Sequence, residues 1–222
     1  MSELSTPAAE ASVGHPDRAG VPLQIAIART VDRWQHHLLD ASTSPAAART
    51  RAVLARLRRS AGSQPESHPL AFQEALDALS PQLSEDDLGL TGFASPTERA
   101  AFHAVTLFAV HAQSMRAPVH VPDRSFGRAI GMLVAGSDSG SLKPRFDALM
   151  AARSSESRLV HARSLITLLR GASVGFDYGQ FARDLRTLGG THRNSVLLRW
   201  GRDIVVATHA SAADGSDPKS QP

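Results

Sequence analysis

The chain has 222 residues, enough for one large domain or two small ones with a buried core, and its 42% hydrophobic and 20% charged content is that of an ordinary globular protein. It has no cysteine, which excludes disulfides, thiolate metal sites and cysteine nucleophiles and suits a reducing cytoplasm. The net charge is only +3, yet two of the 24 basic residues are lysine (Lys143 and Lys219) and the rest are arginine. A GC-rich genome accounts for the abundance of Ala and Arg, but a guanidinium still differs from an ammonium in gripping phosphate oxygens with two parallel donors.

The placement of charge says more than its sum. Ala41 to Pro65 holds five arginines (Arg49, Arg51, Arg56, Arg58 and Arg59) and no acid, whereas Ser60 to Glu98 holds seven acids and no Arg or Lys. From Arg99 to Val206 basic residues again dominate. The N-terminus shows no basic segment followed by an apolar run, so no signal peptide is expected, and no stretch approaches the roughly 20 apolar residues of a membrane span.

Residues 1–22 and 209–222 are expected to be disordered tails, being rich in Ala, Ser, Pro and Gly. A first helix is predicted over Leu23–Asp40, with Ile27, Val31, Trp34 and Leu38 on one stripe. Ser44-Pro45 supplies a cap and a proline at the first helical position for a second helix, which Gly62 stops after Ala61. A short helix follows over Leu70–Leu79, and the acidic Ser84–Leu90 segment adds a turn. Ser95-Pro96-Thr97-Glu98 is a capping box opening a helix to Met115, with Phe102, Val105, Phe108 and Ala112 inward. Pro118 and Pro122 break the pattern. Five more helices are predicted over Ser125–Val134, Leu142–Ala152, Glu156–Arg170, Tyr178–Leu188 and Arg193–Thr208, with Val119–Val121 the one scrap resembling strand. The expected fold is all-α, two small antiparallel helical bundles (23–116 and 123–208) joined by the proline-containing linker.

No catalytic constellation emerges, and no cofactor is expected. None of the ten histidines pairs with another four residues on with a glutamate between, as a zinc protease requires. Gly136-Ser137-Asp138-Ser139-Gly140 has Asp at its centre where a nucleophile elbow needs serine, and reads as a loop. Gly189-Gly190 is a helix stop without a Walker lysine. Glu85-Asp86-Asp87 is a solvated acidic run rather than a metal site.

The constellation that remains is basic. Arg51 and Arg58 are seven apart on one side of the second helix with Arg59 adjoining, and Arg49 and Arg56 form a parallel row. Unpaired, these charges repel one another, which a polyanion site would offset. Arg128, Arg145 and Arg163 recur in the second half, and Arg199 and Arg202 lie one turn apart. With 11 aromatic residues, most at core positions, phosphate contact without base stacking is the expected mode.

An ordered set of segments carries a family resemblance: RAVLARLRRSAG at Arg51–Gly62, the Phe102–His111 helix, SFGRAIGML at Ser125–Leu133, PRFDALM at Pro144–Met150, HARSLITLLRG at His161–Gly171, FDYGQFARDL at Phe176–Leu185 and LLRWGRDIV at Leu197–Val205. Together with Trp34 they resemble CasB, the small subunit of the type I-E CRISPR Cascade complex, over residues 25–206. The resemblance implies an all-helical, non-catalytic subunit, present as a pair along the crRNA backbone subunits and near the large subunit. It implies crRNA and target DNA as nucleic-acid partners, with a basic surface supporting the target duplex and the displaced strand. The family pattern carries over to Arg58, Arg59, Arg128, Arg145 and Arg163, whereas Arg51, Arg56, Arg199 and Arg202 rest on charge clustering. Many relatives have a Trp where this chain has Leu188 and two glycines, a departure expected to loosen the last helix-to-helix contact. The competing readings are a freestanding helical DNA-binding regulator, which would need a short helix-turn-helix near Glu156–Leu188, and a metal-dependent helical nuclease.

Overall fold

The computed structural model describes residues 20–40, 44–136 and 142–214. Among them are nine α-helices: α1 (Leu23–Leu39), α2 (Pro45–Leu57), α3 (Pro69–Asp77), α4 (Pro96–His111), α5 (Phe126–Ala135), α6 (Leu142–Ala151), α7 (Ser155–Gly171), α8 (Tyr178–Leu188) and α9 (Arg193–Asp214). Three-residue 3-10 turns occur at Arg58–Ser60, Pro65–Ser67 and Glu85–Asp87. The all-α reading holds. Of the expected tails, residues 1–19 and 215–222 lie outside the described residues, as does most of the Gly136–Gly140 loop. Val21 bridges to Leu83, and α9 continues six residues past Thr208, because the HASAAD segment is alanine-rich and meets no breaker before Gly215.

Local chemistry sets the helix ends. The Ser44 side chain accepts from the Ala47 amide at 3.2 Å with Pro45 at the first position. At α4 both halves of the capping box form: the Glu98 amide donates to Ser95 Oγ at 3.0 Å, and the Ser95 amide donates to Glu98 Oε2 at 2.7 Å. Gly62 sits at φ 88°, the left-handed conformation that ends the Arg58–Ser60 turn.

α4 is buried on nearly every side and forms the central post. It is packed by α1, α2 and α3 from one half of the chain and by α7 and α8 from the other. α5 lies along α9, and α6 on α7. One cluster of buried side chains draws on both halves, from Ile27 and Trp34 through Phe102 and Phe108 to Tyr178 and Trp200. The segment expected to link two bundles is itself anchored. Val119 and His120 are buried, the Gln35 side chain donates to the His120 carbonyl at 3.1 Å and accepts from its amide at 3.0 Å, and His120 pairs with Phe176 as an isolated bridge.

Burial also fixes protonation inside this core. Desolvation pushes His103 and His111 down to about 4, so both are neutral at physiological pH. His111 Nδ1 hydrogen-bonds the Tyr178 hydroxyl at 3.0 Å.

Candidate nucleic-acid interface

α2 presents two different basic faces. Arg51 and Arg58 line a groove against Leu38 and the C-terminal end of α4, where Ala112, Gln113 and Met115 form the far wall and no acid is present. Arg51 and Arg59 are exposed and form no ion pair among the described residues, and Arg58 is half-buried with its Nε unpartnered there. Arg56 points the other way. Its Nε donates to Glu74 at 2.7 Å and 3.0 Å, and a further hydrogen bond runs from Nη2 to the same carboxylate. The acid-free cluster expected from local sequence is therefore broken at Arg56, because α3 folds back beside α2 and supplies an acid 18 residues away.

The second half of the chain meets the first just after α2. Arg163 on α7 donates from Nη1 at 2.7 Å to the carbonyl of Ala61, two residues after Arg59 in the chain, and lines a neighbouring hollow with Gly62, Val160 and Thr167. Arg145 on α6 donates to Ser164 Oγ at 3.1 Å, which places it next to Arg163. Arg170 extends the row. It lies seven residues after Arg163 on α7 and donates to Gln113 Oε1 at 2.8 Å, on the groove wall. That residue escaped the sequence reading, although the seven-residue spacing from Arg163 was a usable signal. Arg116, exposed just beyond Met115, adds another cation at this end of α4.

The other expected residues lie elsewhere. Arg128 is exposed in the first turn of α5 and Arg202 is exposed on α9, and neither hydrogen-bonds to the groove residues. Arg199 is committed internally: it pairs with Asp184 of α8, a carboxylate 1% exposed, which also accepts from Trp200 Nε1 at 2.8 Å. Burial raises the Asp184 carboxyl above its usual range, with Arg199 and Trp200 pulling the other way. Among the described residues no group of three or more His, Cys, Asp or Glu could hold a metal ion, and no helix is long and apolar enough to cross a membrane.

A family model for CRISPR-associated protein Cse2 matches residues 53–203, from within α2 to within α9. The chain belongs to the Cse2 family. This agrees with the resemblance to CasB seen in the sequence, and the matched span holds every groove arginine except Arg51. No curated protein matches. Among solved structures, the chain is similar to CasB from Thermobifida fusca at 27% identity and a TM-score of 0.62, over 82% of this chain and 97% of that one. A chain of a CRISPR RNA-guided surveillance complex matches at 20% identity and a TM-score of 0.63, over 88% of this chain and 100% of its own. A Cse2-family protein from Thermus thermophilus matches at 22% identity and a TM-score of 0.56, over 81% of this chain and 97% of that one. The last two establish likeness of fold.

Within this Cse2-family chain the departure at Leu188-Gly189-Gly190 does not open a gap between α8 and α9. Leu188 is buried, Gly189 caps α8, and Trp200 stacks on Phe181 with ring centroids 6.3 Å apart. The α8–α9 contact is carried by Trp200 and its bond to Asp184 instead.

Proposed function

We propose that this chain is a non-catalytic subunit of a type I-E CRISPR surveillance (Cascade) complex that holds nucleic acid by its phosphates. Family membership and the fold shared with a chain of a surveillance complex support a place in such an assembly. The observation that carries the nucleic-acid role is the groove lined by Arg51 and Arg58 with no acid in its lining, with Arg59 exposed in the turn that follows α2, Arg163 bonded to the Ala61 carbonyl and Arg145 to Ser164. Guanidinium groups without carboxylate partners gain most by meeting a polyanion. The groove offers no exposed aromatic ring for base stacking, so binding there depends on charge and not on sequence.

In this reading the chain packs against crRNA backbone subunits and the large subunit, beside crRNA and target DNA and alongside a second copy of itself. Guide pairing replaces one duplex by another of similar stability, so a few phosphate contacts can decide whether the opened target persists. Arg128 and Arg202 are proposed to contact nucleic acid on a separate surface of the α5–α9 pair. The two expected bundles, 23–116 and 123–208, are proposed to act as one body because they share a core.

Assembling the complex with Arg58→Ala/Arg59→Ala and timing target-duplex opening and re-closure tests the role. A shortened lifetime of the opened target with intact assembly is expected, and an unchanged lifetime contradicts it. The regulator reading is disfavoured because α8 would have to enter a DNA groove, yet Tyr178, Phe181, Ala182 and Asp184 are buried against α1, α4 and α9.

A further inference from the structure

A second basic site lies away from the groove. A cavity of about 270 Å³ opens where the N-terminal ends of α4 and α7 meet the C-terminal turn of α8. α4 contributes Pro96 to His103 here and its C-terminal end to the groove, while α7 contributes Ser155 to Leu159 here and Arg170 there. At 1.5 Å of rise per residue Leu159 of the cavity and Arg170 of the groove wall stand about 17 Å apart along α7.

The cavity combines apolar walls with cationic polar groups. Ala100, Leu159 and Leu185 form the walls, and Arg99, Arg158 and Arg186 line it with no acid among the lining residues. Arg99 and Arg186 reach outward to Glu66 at 2.8 Å and Asp87 at 3.7 Å. Arg158 meets no carboxylate among the described residues. It is 5% exposed, its Nη groups donate to the Leu188 and Ala152 carbonyls at 3.4 Å and 2.8 Å, and its Nε is buried without a partner. His103 is also 5% exposed, and both its ring nitrogens are buried and unpartnered. Orphaned buried polar groups are rare in native proteins, and two side chains carrying them beside one cavity point to a ligand. The N-terminus of α7 opens at the same place and favours an anion, whereas the first turn of α4 is already met by the Glu98 carboxylate of its capping box.

The volume exceeds what a bare phosphate fills, and an acidic side chain would leave the apolar walls and the imidazole unused. A neutral imidazole offers one donor and one acceptor, the complement of a nucleobase edge. We propose that this cavity takes one unpaired nucleotide, its phosphate against Arg99, Arg158 and Arg186 and its base between the apolar walls with His103 at the base edge. The choice of a nucleotide over other organic anions rests on the nucleic-acid role proposed above. The site differs from the groove in holding a base as well as a phosphate.

The test is titration of the full chain with each nucleoside 5′-monophosphate, followed by calorimetry and by NMR of the histidine ring protons. One saturable site is expected. His103→Phe, which fills the cavity, should weaken it at least tenfold, and Arg186→Ala, at a half-exposed rim position, should weaken it severalfold. Arg58→Ala/Arg59→Ala should leave it unchanged, so failure here is separable from failure of the groove, which is read from target opening in the complex. Equal affinity for inorganic phosphate, tighter binding of N-acetylglutamate, or binding indifferent to Arg186→Ala would each overturn the proposal, as would no binding. Should His103→Phe fail to fold, Arg186→Ala alone decides.

Discussion

The Arg163 guanidinium and the Ala61 carbonyl meet at 2.7 Å although 102 residues separate them, and their hydrogen bond ties α7 to the chain just after the Arg58–Ser60 turn. The union is built on a shared core, in which Trp34 packs on Phe108 of α4 and Trp200 belongs to the same cluster through Phe126 and Phe181.

Because that core is continuous, both halves should unfold together. The two tryptophans lie one in each half, so Trp34→Phe and Trp200→Phe variants give separate fluorescence reporters. Urea titrations, corrected for each variant's own stability by circular dichroism, should show fluorescence and helix signal lost at the same midpoint in both. Separated transitions would mean independently stable bundles.

The α5–α9 contact depends on two glycines. A Cβ at Gly127 would stand 2.7 Å from the Trp200 carbonyl oxygen, and one at Gly131 would stand 2.6 Å from Ala207 Cβ and 2.8 Å from the Ile204 carbonyl oxygen. In an exposed helix Gly→Ala is stabilising. Here Gly131→Ala should destabilise by about 1–3 kcal/mol through overpacking, measured by chemical denaturation.

Asp184 gathers Arg199 and Trp200 onto the buried side of α8. Asp184→Asn keeps the shape but loses the charge that Arg199 faces. A loss of about 1–3 kcal/mol in unfolding free energy is expected, with nucleic-acid affinity at matched fractions folded unchanged.

Acid should destabilise the fold over a defined window. His103 and His111 lie at about 4 in the folded chain, against an ordinary value of 6.5. Between these values the unfolded chain binds more protons than the folded one, so stability rises with pH across that window and is lost as pH falls through it. The effect is on the order of 3 kcal/mol per histidine when complete. Unfolding midpoints recorded from pH 7 to pH 4 should fall accordingly, and His103→Leu should flatten part of the slope.

Helix positions were legible in the sequence because their signals are local: serine caps, Pro96 after Ser95, apolar stripes and the stop at Gly62. Partners brought by folding were not. Glu74 beside Arg56 and Asp184 beside Arg199 lie 18 and 15 residues away through a turn, so charge counting along the chain left both arginines free. Gly127 and Gly131 stand inside the recognised SFGRAIGML segment, yet their reason is the backbone of α9, at the far end of the chain, which no local pattern records. The cavity around His103 and Arg158 was invisible for the same cause, being assembled from three helices.

The most direct test of the groove compares Arg51→Ala/Arg58→Ala with Arg56→Ala in the assembled complex, measuring target affinity across a salt series. The first should bind more weakly, and its log–log salt slope should be shallower by roughly 0.7 for each single-strand phosphate contact removed. The second, whose charge is already met by Glu74, should match the unmodified chain. An equal loss in both variants, or none in either, would contradict the assignment of that face of α2 to nucleic acid.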